Sequence, residues 1–222
     1  FPKARTLARQ QVLLMVELGL HQQATLAGLR YLARGKASAT DYVAIAEALR
    51  GAKQHKKAIL ILEQAKLQHV SSDLVLKQLA RSYLDDGKPL AAAELLARAA
   101  HRKPKYRVEA AELYRRAGQL VSALYLNEQA LTQGPKVRQR LGLLIELGRF
   151  EAAAAMAPRL SRLGLLDDQN IVYGLAYATY KTGDFASAER WLKRLTKPEL
   201  FRRAIQLRKA MQSCKAMGWS CH

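Results

Sequence analysis

Residues that could carry chemistry are few, and their spacing does not match a catalytic pattern. His21 and His55 stand 34 residues apart, which leaves a shared metal or acid–base role open, although a polar residue repeated at one turn position explains them as well. The adjacent acids at 85–86 and 167–168 suit helix caps better than a general acid–base pair. The sequence has no Gly-rich phosphate loop, zinc-ligand cluster or nucleophile elbow. We therefore predict a protein that is not an enzyme and that needs no cofactor or metal.

Two cysteines near the end of the chain, Cys214 and Cys221, predict a disulfide. The bridge would close a short loop, which the chain-entropy model values at about 2 kcal/mol. Two free thiols are one alternative, and a metal site that adds His222 is another, although it lacks a fourth ligand nearby. Because disulfides form in oxidising compartments and the first residue is Phe1 rather than Met, we expect a periplasmic or secreted location, with a cytoplasmic one as the alternative.

The composition indicates a helical protein with an anionic partner. Of the 222 residues, 50% are apolar and 25% are charged, which excludes a disordered chain. Six prolines, 13 glycines and four phenylalanines are few beside the frequent Ala, Leu, Gln and Arg, so the chain favours helices over strands. Lysine and arginine total 37 against 18 acidic residues, and the resulting charge of +19 favours an anionic partner. The sequence has no uninterrupted run of eighteen apolar residues, so we expect no transmembrane segment.

A turn motif recurs along the chain. In six segments a Gly, or once Lys53, is followed five residues later by an Ala. Glycine suits the left-handed residue that ends a helix, and a small alanine lets two helices approach closely. The spacing therefore predicts a repeated helix–turn–helix unit. The alanines, spaced 34, 34, 31, 30 and 35 residues apart, are Ala24, Ala58, Ala92, Ala123, Ala153 and Ala188.

The third unit carries the fullest pattern, and its signature residues are Leu76, Leu79, Ala80, Tyr83, Gly87, Ala92, Leu96, Ala99 and Pro104. This pattern resembles the tetratricopeptide repeat (TPR) family, in the type found in bacterial cell envelopes. The resemblance covers about residues 4–197 and implies an all-α fold, a right-handed α–α solenoid of about six repeats with a C-terminal capping helix. It implies little about the ligand.

The resemblance also divides the chain into units. Units four and five are short, and Pro158 interrupts the second helix of unit five, so we expect a kink or break there. Other second helices are expected to stop near Pro104, Pro135 and Pro198. The predicted repeats span 5–38, 39–72, 73–106, 107–134, 135–168 and 169–197, followed by a capping helix at 199–213 and a Cys-containing tail at 214–222.

The first helices of TPR arrays line a concave face, which makes residues on them candidates for binding a partner. Tyr173, Tyr177 and Tyr180 share one face of the last first helix, where they would either grip a sugar or peptide or pack against the capping helix. Lys77 and Arg81 only partly resemble a clamp for a partner's C-terminal carboxylate, and a solvated basic face is the alternative. The predicted basic residues of this face are Arg9, Lys77, Arg81, Arg115, Arg116 and Arg138.

Positive charge is spread along the chain, with two local concentrations that we predict to be basic patches. The first consists of Arg98, Arg102, Lys103, Lys105 and Arg107, and the second includes Arg190, Lys193, Arg194, Arg202 and Arg203.

These features favour a non-enzymatic protein–protein interaction scaffold in a bacterial cell-envelope assembly, such as secretion, pilus or polysaccharide-export machinery. Its expected partner is a protein with an acidic or extended segment. A carbohydrate-binding periplasmic module for an anionic polysaccharide is the alternative, and a basic nucleic-acid-binding solenoid is the second alternative, which only the charge supports. The basic amphipathic capping helix also leaves membrane-surface binding open.

Overall fold

The computed structural model describes residues 2–35 and 37–217, and the regular elements of that part of the chain are all helical. The all-α repeat fold predicted from the sequence is confirmed. Short 3₁₀ turns at Pro104–Tyr106 and Leu165–Asp167 join some of the helices. The helices are α1 (Pro2–Glu17), α2 (His21–Ala33), α3 (Ala39–Gly51), α4 (His55–Gln68), α5 (Asp73–Asp85), α6 (Pro89–Ala100), α7 (Arg107–Arg116), α8 (Leu120–Glu128), α9 (Gln133–Glu146), α10 (Phe150–Ala154), α11 (Ala157–Arg162), α12 (Gln169–Lys181), α13 (Phe185–Lys193) and α14 (Pro198–Met217).

Each of the six predicted turns contains a residue in the left-handed region. Gly87, with φ +72°, is one example, and there the Lys88 N–H donates back to the Tyr83 carbonyl at 2.8 Å, as in a Schellman motif. The second turn places Lys53 at φ +58°, which costs a residue with a Cβ about 1 kcal/mol. The turn residues are Gly19, Lys53, Gly87, Gly118, Gly148 and Gly183.

The repeated alanines lie where the two helices of a repeat meet. All six, from Ala24 to Ala188, have no exposed surface. Close approach between helices is also visible at Gly28 in α2, where an added Cβ would lie 2.6 Å from the Ile45 Cγ1 atom of α3. Small residues at these positions therefore let neighbouring helices pack at short distance.

The chain divides into two compact units, one up to Ala117 and one from Gly118. The first unit contains α1 to α7, in which each helix packs on the next and α3 also packs on α5. Its core is built from fully buried leucines, among them Leu49, Leu62 and Leu79.

The second unit contains α8 to α14 and two core clusters. In the fifth repeat α10 ends at Ala154 and α11 begins at Ala157, so the break expected at Pro158 is confirmed. At the end of this unit α14 buries one face, including Leu200, Leu207 and Met211, in a cluster with α12 and α13. Among the described helices, none has the length and apolar character needed to cross a membrane.

Candidate functional site

The first-helix face of the first unit carries two exposed cations on α5. Lys77 and Arg81 lie one helical turn apart, and both are exposed. Beside them is Arg50 of α3, whose side chain is only 9% exposed and whose Nη1 donates to Gln78 Oε1 at 2.7 Å. Its nearest carboxylate contact is loose, because Arg50 Nε lies 3.7 Å from Asp85 Oδ2.

The electrostatics of this group indicate incompletely balanced positive charge. Burial and the nearby charge of Arg81 lower the pKa of Arg50, whereas Asp85 and Glu47 raise it. A lowered pKa means that the surroundings disfavour the charged guanidinium. Burial is the first cause of this lowering, and Arg50 has only two long carboxylate contacts, at 3.7 Å to Asp85 and 3.9 Å to Glu47, while Lys77 and Arg81 add exposed positive charge beside it. We call Arg50, Lys77 and Arg81 the α3–α5 basic surface.

Three other arginines predicted to face a partner are held in ion pairs of the protein itself. Arg115 donates from Nε and Nη2 to both oxygens of Glu112 at 2.9 and 2.8 Å, and Arg116 Nε lies 3.2 Å from the same carboxylate. The hydrogen bond from Arg115 is the main cause of a lowered pKa at Glu112. In the second unit Arg138 Nε lies 3.4 Å from Asp168 Oδ2. These side chains are thus partly neutralised before any partner binds.

Arg9 takes part in a buried network around Asp41. The Asp41 side chain is 5% exposed and accepts hydrogen bonds from Arg9 Nε at 2.5 Å, Tyr31 Oη at 2.9 Å and the Ser38 N–H at 3.0 Å. Burial raises the pKa of Asp41, but the bonds from Ser38, Arg9 and Tyr31 outweigh it and lower the pKa overall. The ion pair between Arg9 and Asp41 was not predicted. The one sequence signal for Asp41 is its position three residues after Ser38, which is the spacing of a capping box.

Two of the five cations in the first predicted basic patch share one carboxylate. Lys103 and Lys105 both donate to Asp73 at the start of α5, and Lys103 Nζ also donates to the Ser71 carbonyl at 2.9 Å. The bonds from Lys103 and Lys105 hold the pKa of Asp73 far below its usual range. Of the other members of the patch, Arg98 and Arg102 are exposed, whereas Arg107 is half-buried.

The second predicted patch is more open. Arg190 Nη2 donates to Ser187 Oγ at 2.7 Å, and the Arg194 guanidinium lies 5.1 Å from the Trp191 ring centroid. Neither of these contacts is with a carboxylate. The exposed members of the patch are Arg190, Lys193, Arg194, Arg202 and Arg203.

An arginine that the prediction did not single out, Arg208 of α14, forms the ion pair of this region. Its Nε and Nη2 donate to the two oxygens of Glu189 in α13 at 2.9 Å. The bidentate pair joins α14 to α13 and removes Glu189 as a counter-charge for the remaining cations.

The three predicted tyrosines are half-buried and belong to an aromatic group in the second unit. Tyr177 lies between Phe150 and Tyr180, with ring centroids 5.9 and 6.3 Å away, and Tyr180 stacks on Phe185 at 5.9 Å. Tyr173, Tyr177 and Tyr180 all pack against the core that α14 covers. Burial raises the pKa of Tyr173. The rings therefore contribute to packing as well as to any exposed face.

Cys214 is buried on α14, and its Sγ lies 3.9 Å from Tyr180 Oη. Its predicted partner Cys221 and the alternative ligand His222 lie outside the described residues. Cys214 is the single cysteine in the described part of the chain, so the predicted bridge itself lies outside what the structure describes. The prediction of a periplasmic or secreted location, which depended on that bridge, is wrong.

The two histidines of equivalent turns have different surroundings. A Cβ added at Gly51 would lie 2.5 Å from the His21 ring, so this imidazole covers the end of α3. His55 lies in the next turn with Lys56 and Lys57, around an open cavity of about 420 Å³. Within the described residues no group of three His, Cys, Asp or Glu side chains is placed to hold a metal ion.

No protein-family model matches the chain, and no curated protein matches it in sequence. Among solved structures it is similar to a tetratricopeptide repeat protein from Parabacteroides merdae, with a TM-score of 0.63, 14% identity and coverage of 98% of this chain and 94% of that one. It is also similar to the structure of Naa15/Naa10 bound to HypK-THB, with a TM-score of 0.60, 15% identity and coverage of 96% and 34%. These similarities show that the chain has the TPR fold.

Proposed function

We propose that the protein is a protein–protein interaction scaffold and that the α3–α5 basic surface of its first unit binds an acidic, extended segment of a partner. The observation that carries the proposal is the position of Lys77 and Arg81, exposed and one turn apart next to the incompletely balanced Arg50. The similar structure of Naa15/Naa10 bound to HypK-THB is that of a complex, which supports a scaffold role for this fold.

An acidic segment suits this surface better than a neutral one. Exposed ammonium and guanidinium groups favour carboxylates electrostatically, and complementary charge raises the association rate and the specificity of a complex. Arg115 and Arg116 already have Glu112 as a partner, so they contribute less to such binding. The predicted role in a bacterial cell-envelope assembly and the predicted carbohydrate module stay predictions.

The test compares charge reversals on two helices of the first unit. Lys77→Glu with Arg81→Glu changes the proposed surface, and Lys56→Glu with Lys57→Glu makes an equal charge change at exposed positions of α4. A short fluorescent peptide of alternating Glu and Leu serves as the probe, with anisotropy as the readout.

We expect the α5 double variant to weaken binding at least about tenfold, because it replaces two attractive contacts with two repulsive ones. The α4 variant should bind almost as the unmodified protein does. Equal loss in both variants would mean that total charge alone drives binding and would contradict the proposed surface.

A further inference from the structure

The outward face of α14 combines two exposed apolar side chains with two cations. Beside the face that buries Leu200, Leu207 and Met211, the side chains of Phe201 and Ile205 remain 46% and 52% exposed. They lie one helical turn apart, so they form a continuous apolar spot. The cations beside this spot on the same helix are the exposed Arg202 and Lys209.

The surroundings of this spot are strongly positive. Within residues 190–209 the one acid is Glu199, and of the two acids just before this stretch Asp184 accepts a hydrogen bond from the Ser187 N–H while the half-buried Glu189 is paired with Arg208. The exposed cations of this stretch are Arg190, Lys193, Arg194, Lys197, Arg202, Arg203 and Lys209. The stretch therefore offers an apolar contact and an excess of positive charge together.

We propose that this face of α14, which we call the α14 face, docks onto the surface of an anionic lipid bilayer. Phe201 and Ile205 would enter the boundary between headgroups and acyl chains, while Arg202 and Lys209 contact the lipid phosphates and carboxylates. Amphipathic helices that lie on membranes combine these two features. Each basic side chain near an anionic surface strengthens the attraction about fivefold.

Two other classes of partner fit the α14 face less well. A stable protein interface buries about 800 Å² on each partner around a well-packed apolar core, and two side chains on a convex helix provide little of that. Single-stranded nucleic acid is bound by aromatic stacking and backbone contacts, to which Ile205 contributes neither a ring nor a donor. A bilayer requires no complementary shape, so a small apolar spot within positive charge is sufficient.

The experiment is co-sedimentation of the full chain with vesicles, using phosphatidylcholine alone or with about 30% phosphatidylserine. Phe201→Ser with Ile205→Ser removes the apolar spot, and Arg202→Gln with Lys209→Gln removes two of its cations. The matched controls on α4 are Leu67→Ser, at a side chain 77% exposed, and Lys56→Gln with Lys57→Gln. Circular dichroism verifies that every variant is folded.

We expect the protein to bind the anionic vesicles only. Arg202→Gln with Lys209→Gln should lower the partition coefficient about 25-fold, because two basic contacts are lost. Phe201→Ser with Ile205→Ser should lower it about tenfold or more, because the apolar contact is lost. The α4 variants should change it by less than about threefold. Three results would each overturn the proposal. The first is no binding to anionic vesicles at low salt, and the second is an equal loss of binding in the α4 controls. The third is that the α14 variants weaken binding of a polyuridylate strand but leave vesicle binding unchanged.

Discussion

The segment that joins α6 to α7 and the segment formed by α13 and α14 are both rich in lysine and arginine, but they differ in where their acidic partners lie. In the first, Lys103 and Lys105 converge on Asp73, which begins a helix of the same unit some thirty residues earlier. In the second segment Arg208 forms an ion pair with Glu189, and the other lysines and arginines within residues 190–209 are exposed to solvent. In the first segment two cations are therefore neutralised by an acid distant in sequence, although Arg98 and Arg102 remain exposed there, whereas in the second segment one arginine is paired and most of the cations are exposed.

The largest effect on stability is expected where two cations share one acid. Asp73→Asn keeps the shape of the side chain but removes the charge that Lys103 and Lys105 surround, and it places both ammonium groups beside an uncharged helix start. We expect a clear decrease in the urea midpoint at pH 7. Asp167→Asn, at an exposed acid in the second unit, is the control and should leave the midpoint in place. Equal midpoints for the unmodified protein and Asp73→Asn would contradict a structural role for this ion pair.

The same carboxylate predicts how stability depends on pH. The pKa of Asp73 is lowered in the folded protein, so its stabilising contribution is complete above the unfolded pKa of about 3.9 and is lost progressively as the pH falls below it. The difference in unfolding free energy between the unmodified protein and Asp73→Asn should therefore shrink between about pH 5 and pH 2. Urea titrations at several pH values measure it. A difference that stays constant over this range would show that the charge of Asp73 is not the cause.

A smaller effect is expected in the second segment. Glu189→Gln breaks the bidentate contact with Arg208, and because both side chains are more than a third exposed the cost should be about 0.5 kcal/mol. Arg202→Gln provides the comparison, since a surface substitution without an ion pair usually changes stability by less than about 0.5 kcal/mol. Chemical denaturation gives both values. If Arg202→Gln destabilises the protein as much as Glu189→Gln does, the contrast between paired and accessible cations in this segment is wrong.

Local features of the chain could be predicted because their causes are local. A glycine five residues before an alanine indicated each turn, and Gly87 and Ala92 take the left-handed and fully buried positions that this spacing requires. Pro158 breaks a helix because its ring cannot fit a helix interior, whatever surrounds it. The second turn has Lys53 in place of the glycine, and this residue takes the same left-handed backbone conformation.

The candidate site was predicted less completely. Lys77 and Arg81 are exposed, whereas Arg115, Arg116 and Arg138 have intramolecular partners that the prediction did not include. Glu112 lies three and four residues before Arg115 and Arg116 on the same helix, a spacing that the sequence itself contains, whereas Arg138 meets Asp168 only through the packing of elements distant in sequence.

The sequence by itself determined the repeat, the turns, the helix breaks and the all-α fold, since backbone preferences of glycine, alanine and proline act within a few residues. The tertiary structure decided which charges are neutralised, because Arg9 and Asp41, or Lys103 and Asp73, meet only after about thirty intervening residues have folded between them. A Coulomb interaction depends on distance in space and on burial, and for residues far apart in sequence neither quantity can be read from their spacing along the chain.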